Sequence, residues 1–417
     1  MTDTTSARPT TETVTEFAER AKHWLAANMP KLDPQNPPNA DRGEDGPWLR
    51  ARELQKKLYA GGFAGICFPS EYGGLGLPIA YQRAFDDVSR GYELPIILNV
   101  PTFTICAATI LDTGSEAQKR EHISAAIRGD EVLVQLLSEP SGGSDLASVI
   151  TRADRKGDKW IINGAKTWST SAFAADYGLL LARTSWDVPK HEGLTMFLVK
   201  LDSPGIDMRR IKQVDGGNEF CEEFFDNLEL DEDAVVGEVN DGWNVASRQL
   251  YHERRAVGGG SEFASGIGAE GATDQPVDYV DLVTELGQSN NERIRELAGR
   301  ALVRRMVHEQ LIDHVYDGVL DGSLPPAAGS IIRISHAENV QFEMDTALAM
   351  TGSPGVVDDG RGLFRIGNRF LSRQAASLGG GTTEIARNII GERVLGFPRE
   401  FAADRGVPFN QVKRKRD

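Results

Sequence analysis

Three cysteines in 417 residues, Cys67, Cys106 and Cys221, are too scattered for a disulfide framework, and none stands at metal-ligand spacing. The seven histidines form no His-x-x-x-His or Cys/His cluster, which leaves a metal mechanism without support. Positive charge is scarce too. A formal charge of −15 argues against nucleic acid or an anionic membrane as the principal partner, because a phosphate-binding surface needs positive potential. No apolar run reaches the length of a transmembrane helix, and the polar, Thr-rich stretch 1–15 does not read as a signal peptide. The expected location is therefore the cytoplasm. No internal repeat is visible, and the basic run Lys413 to Arg416 reads as a solvated tail. What is present is an ordinary globular composition, 40% hydrophobic, long enough for a large core and more than one domain.

Apolar spacing divides the chain into three. Residues 1–12 and 31–46 read as disordered or connecting segments, and helical patterns occupy 14–29, 47–60, 78–90, 96–113 and 115–128. From about Val132 the pattern changes to short alternating strands at 151–155, 159–162, 178–183, 194–199 and 220–228, which suit a compact barrel or sandwich. Helices return at 241–258, 277–288, 290–319, 327–351, 361–376 and 383–393. The expected domains are 1–130, 131–240 and 241–417.

The most informative stretch runs from Gln135 to Thr170. An apolar strand leads into Ser138-Glu-Pro-Ser-Gly-Gly-Ser-Asp145, whose hydroxyls and closely approachable backbone N–H groups suit an anionic or polar-edged ligand. A second segment, Asn163-Gly-Ala-Lys-Thr-Trp-Ser-Thr170, adds the flat face of Trp168 and two hydroxyls. Taken singly, the first is also a plain surface turn and Trp168 also a core anchor. Together they resemble the acyl-CoA dehydrogenase signature.

That resemblance implies an α+β fold with an N-terminal helical domain, a middle β-barrel domain and a C-terminal four-helix bundle. It implies FAD as cofactor, α,β-dehydrogenation of a saturated acyl-CoA, and electron-transfer flavoprotein as acceptor. By the same resemblance Leu137, Ser138, Gly143, Ser144, Trp168, Ser169, Thr170, Thr382 and Glu384 hold the cofactor.

The reaction needs a base for the α proton, a flavin for the β hydride, and donors to the thioester oxygen. Glu253 and Arg254, in Tyr-His-Glu-Arg-Arg on the helix 241–258, match the Glu-Arg pair of the isovaleryl- and long-chain-type branch, although such a group is otherwise an ordinary helix surface. The larger branch carries its base near the C-terminus, where this chain has Gly380, left with only a backbone N–H to offer as an oxyanion donor. Gln135 replaces an aromatic residue common in relatives. An Arg-x-x-Phe-Gly motif that relatives extend to a neighbour's flavin is missing at 277–286. A homo- or hetero-oligomer, dimer or tetramer, is therefore expected, and a non-catalytic companion subunit stands as the alternative. In texture the chain is most similar to actinobacterial lipid and sterol side-chain dehydrogenases.

Overall fold

A computed structural model describes residues 12–33, 38–39, 41–257, 261–264 and 277–412. The expected disorder at 1–11 and the basic tail 413–417 lie outside these residues. Two compact units form, the first from 1–212, 218–273 and 404–417, the second from 213–217 and 274–403.

In the first unit the opening helices are α1 (Val14–Asn28), α2 (Asp45–Gly61), α3 (Ile79–Ser89), α4 (Ala108–Thr113), α5 (Glu116–Gln118) and α6 (Ser124–Arg128). Helix α1 starts at a reciprocal Thr13/Glu16 capping box and buries Phe17, Ala21 and Leu25, one stripe at a spacing of four. The apolar stretch 96–113, expected as one helix, is instead a 3₁₀ turn, a π turn and α4, with a non-helical break at Val100. Pro101 is the reason, since the ring of a proline disfavours helical geometry in the residue before it. Contrary to the sequence expectation, 96–113 is long and apolar enough to cross a bilayer by length and composition. Its side chains are mostly buried within the unit, so its apolarity serves the core.

The strands are β1 (Leu133–Leu136), β2 (Arg152–Lys156), β3 (Lys159–Thr170), β4 (Tyr177–Arg183), β5 (Leu194–Lys200), β6 (Ile206–Ile211), β7 (Phe220–Leu230) and β8 (Val235–Val236). They build one mixed sheet in the order β6-β7-β3-β2-β4-β5-β8, with β1 added in parallel to β4. The expected middle β domain is thus a single eight-stranded sheet in which, among the described residues, β6 and β8 do not pair with each other. Both faces are covered. In β4, Leu179 and Leu181 join the core shared with the helices, whereas Leu180 and Ala182 join a second core on the opposite face. Two-sided burial explains why this strand reads as a continuous apolar run.

Helix α7 (Gly242–Val257), the expected opening of the C-terminal bundle, belongs to this first unit and packs on the 99–107 segment, α4 and β5. The second unit contains α8 (Tyr279–Glu285), α9 (Glu292–Leu320), α10 (Gly329–Thr351), α11 (Phe364–Ser372) and α12 (Thr383–Ile389) around Tyr279, Ala301, Met344, Ala347 and Leu363. All three cysteines are free thiols, and no metal-holding group of side chains occurs among the described residues.

Candidate active site

Strand β1 delivers Leu137 and Ser138 to a tight turn closed by mutual hydrogen bonds between the backbones of Glu139 and Gly142. Gly142, Gly143 and Ser144 are exposed, and a Cβ on Gly143 would come within 3.3 Å of the Ser138 hydroxyl oxygen. A buried ion pair fixes this turn from below. The Lys166 ammonium donates to the Leu137 carbonyl at 2.9 Å and to Glu139 at 2.9 Å, and the Glu139 carboxylate also accepts from the Ile150 and Thr151 N–H groups at 2.7 and 2.8 Å. Burial would raise the Glu139 carboxyl, but Lys166 and those N–H groups overcome it and hold it below the ordinary range. Beside this pair, the Thr167 N–H donates to the Ser138 carbonyl at 3.0 Å. The two signature segments are thus joined directly.

Strand β3 runs much further than the expected 159–162, because the Asn163-Gly164 pair is a bulge rather than a turn. Gly164 has φ +150, and a Cβ there would meet the Thr151 Cα at 2.7 Å. A second register shift between Thr167 and Ser169 leaves Trp168 as the extra residue, with φ 63. That left-handed backbone costs a non-glycine residue about 1–3 kcal/mol. Its consequence is exposure: the indole is 57% accessible, edge-on to Phe220, and so a platform rather than a core anchor. Ser169 turns the other way. It is buried, and its hydroxyl donates to Glu223 at 2.8 Å, so only its backbone faces outward chemistry, while Thr170 is half-buried.

Lys166 therefore has a carboxyl on either side, Glu139 and its β7 partner Glu223. One buried cation cannot neutralise two carboxylates, and Glu139 has the richer set of donors. Burial pushes the Glu223 carboxyl up to about 7, against the opposing pull of Ser169 and Lys166. Its folded-state value lies above the ordinary 4.5, so native protein holds a proton that unfolded chain releases. Stability then falls as pH rises from about 4.5 to about 7, by roughly 3 kcal/mol in total. Glu223→Gln is expected to flatten that fall in denaturant titrations run from pH 5 to 8. An unchanged pH slope would refute the assignment.

Glu253 lies on α7, half-buried, and Arg254 beside it is exposed. The Gln135 side-chain amide donates to the Glu253 carboxylate at 3.3 Å, and Gln249, fully buried, donates to the Gln135 carbonyl oxygen at 3.0 Å. The buried Cys106 thiol is raised by burial and then by the Glu253 charge. One turn back on α7, Asp112 of α4 pairs with both Arg248 and the buried His252. Of these neighbours, Gln249, Asp112 and His252 were not singled out in the sequence. The i, i+4 spacing of Gln249 and Glu253 was the available signal.

The second unit carries the remaining expected residues. Gly380 has φ 69 and Gly381 φ 93, both left-handed and exposed, conformations open to glycine at little cost. The guanidinium of Arg333 donates to the Ala376, Gly379 and Gly381 carbonyls, at 2.5, 2.5 and 3.2 Å, and so pins the glycine turn. Thr382 caps α12 by accepting the Ile385 N–H at 3.2 Å, which commits its hydroxyl, and Glu384 extends outward beside Thr383.

Family models match at 11–130 (acyl-CoA dehydrogenase, N-terminal domain), 135–228 (middle domain) and 240–395 (C-terminal domain). Acyl-CoA dehydrogenase IpdE1 of Mycobacterium tuberculosis is 31% identical over 93% of this chain and 98% of its own length. Acyl-CoA dehydrogenase FadE29 of the same organism is 28% identical over 88% of this chain and 93% of its own. A solved structure described as the Tcur3481-Tcur3483 steroid ACAD is similar with a TM-score of 0.70 and 26% identity, covering 93% of this chain and 98% of that one. The chain belongs to the acyl-CoA dehydrogenases, a family of flavoprotein oxidoreductases.

Proposed function

We propose that this chain is an FAD-dependent dehydrogenase that converts a saturated acyl-CoA thioester to its trans-2-enoyl-CoA in the cytoplasm, with electron-transfer flavoprotein as acceptor. The carrying observation is one scaffold. Glu253 is bonded to Gln135 of β1, β1 runs into the Ser138 turn, and the Ser138 carbonyl receives the N–H of the residue before Trp168. An acid and an exposed aromatic platform are thereby fixed to the same strand.

The residues suit a flavin. An exposed indole on a bulge, a partly exposed Ser138 hydroxyl and an uncovered Gly142-Gly143-Ser144 edge offer a ring face and donors. FAD, when bound, supplies the acceptor for the β hydride. Leu137, Ser138, Gly143, Ser144, Trp168, Thr170 and the Ser169 backbone would hold it, and Thr382 and Glu384 are proposed as cofactor contacts on the family resemblance alone. Glu253 takes the α proton on its carboxylate, Arg254 supplies positive charge beside it, and the Gly380 N–H is the proposed donor to the thioester oxygen. The neighbour described as a steroid ACAD supports including sterol-derived thioesters among the substrates tested.

A companion subunit without turnover of its own is the second reading. It is favoured by the stretch 277–286, which lacks the Arg-x-x-Phe-Gly motif and forms the short, Asp278-capped α8 instead. Flavin absorbance per chain, measured alone and after co-expression with adjacent-gene partners, separates the two. The catalytic reading expects bound flavin and dye reduction by a straight, branched or sterol-side-chain acyl-CoA, and Trp168→Ala is expected to lose flavin on gel filtration. A flavin-free chain in every combination would leave only the companion.

A further inference from the structure

Gln249 and Glu253 are four residues apart on α7, hence on one face of the helix, and Gln135 reaches that face from β1. A carboxylate only accepts hydrogen bonds, whereas a glutamine amide has one accepting and one donating end of nearly equal shape. Turned the wrong way, the Gln135 side chain would set its oxygen against the Glu253 oxygens. The Gln249 amide, whose own oxygen is buried without a hydrogen-bond partner among the described residues, opposes this. Its nitrogen is 3.0 Å from the Gln135 oxygen, so that oxygen is held on the far side and the Gln135 nitrogen is left facing Glu253 at 3.3 Å. Gln249 is itself fully buried, which keeps water from competing for the bond.

We infer that Gln135 is a positioning residue for Glu253, locked in its donating orientation by Gln249, so that two amides in series aim the carboxylate and stabilise its ionised form. The inference deepens the reading of Glu253 as the base and rests on it. A donor to the charged form favours deprotonation, which a base requires before it can receive a proton. The opposing influence is the buried 99–107 segment, on which α7 packs. The other charged groups nearby are Arg254 and Arg255 on α7 itself and the Asp112–His252 pair between α4 and α7. None of these is altered by a change at Gln135.

Infrared difference spectra of the purified full chain, recorded between acid and neutral pH, report the carboxyl band of Glu253, which Glu253→Gln identifies by deleting it. In Gln135→Met, a change of similar volume that removes the donor, the midpoint of that band is expected to rise by about one pH unit, a tenfold change in proton affinity. Gln249→Met, which only frees the Gln135 amide to turn, is expected to give a smaller rise, and it carries the test if Gln135→Met does not fold. A midpoint unmoved in both variants overturns the relay, whatever Glu253 does in turnover. A midpoint that moves, together with a Glu253→Gln enzyme that retains wild-type dye reduction, would uphold the relay and remove Glu253 as the base.

Discussion

Glu253→Gln is expected to reduce dye-coupled turnover by about 10²–10⁴-fold while the chain stays folded and keeps its flavin, the range typical for loss of a positioned proton acceptor. Glutamine preserves the shape of the side chain and an oxygen that can still accept from Gln135, so packing against the 99–107 segment changes little. What disappears is the ability to receive a proton. By resemblance to the larger branch of the family, the alternative acid would stand at Gly380, whose only polar groups belong to the backbone. The effect should fall on kcat, with KM nearly unchanged, since an amide at 253 alters transition-state rather than ground-state contacts. The assay needs a panel of isovaleryl-CoA, palmitoyl-CoA and a sterol-side-chain CoA. Wild-type turnover in the variant would show that the acid acts elsewhere or not at all.

Lys166→Met should be the most damaging single change to stability, at about 3–5 kcal/mol, because it removes one partner of a buried ion pair and leaves the other. Lys166 and Glu139 are 0% and 2% exposed in their side chains. Without the ammonium, the Leu137 carbonyl loses its donor and Glu139 keeps only the Ile150 and Thr151 N–H groups. Glu223 simultaneously loses the nearby cation that lowers it. The turn that starts at Ser138 should loosen with the pair, so flavin occupancy is expected to fall along with the guanidinium midpoint. Lys166→Met combined with Glu139→Gln should recover part of the stability, since the uncompensated charge is then gone. A single variant as stable as the wild type would mean that the pair contributes nothing.

Much of the fold was legible because it follows from spacing. The stripe of Phe17, Ala21 and Leu25 and the apolar run of β5, buried from Leu194 to Val199, each announce their element. The failures have particular causes. Asn163-Gly164 carries the residue types of a tight turn, and only the approach of Thr151 shows why glycine sits within a strand there. The polar strand β6, exposed at Asp207, Arg209 and Arg210, lacked the apolar run that marked its neighbours.

The candidate site was legible as a set of residues but not as a set of directions. Counting by twos from the buried Lys166 would point Trp168 inward and Ser169 outward. The bulge after Thr167 reverses both, and no local sequence signal marks it. Gln135 was visible only as a departure from an aromatic residue. Its purpose depends on a helix more than a hundred residues away, which short-range periodicity does not record.

The grip of Arg333 on the carbonyl groups of Ala376, Gly379 and Gly381 carries a consequence for the glycine turn. The glycine turn acquires its shape when the polypeptide folds, so a thioester bound there, as proposed, would meet amides already arrayed and lose little chain entropy at encounter. A lysine in that place would present a single ammonium on a flexible stem rather than a planar fork. The turn would then have to order itself anew for every molecule it received.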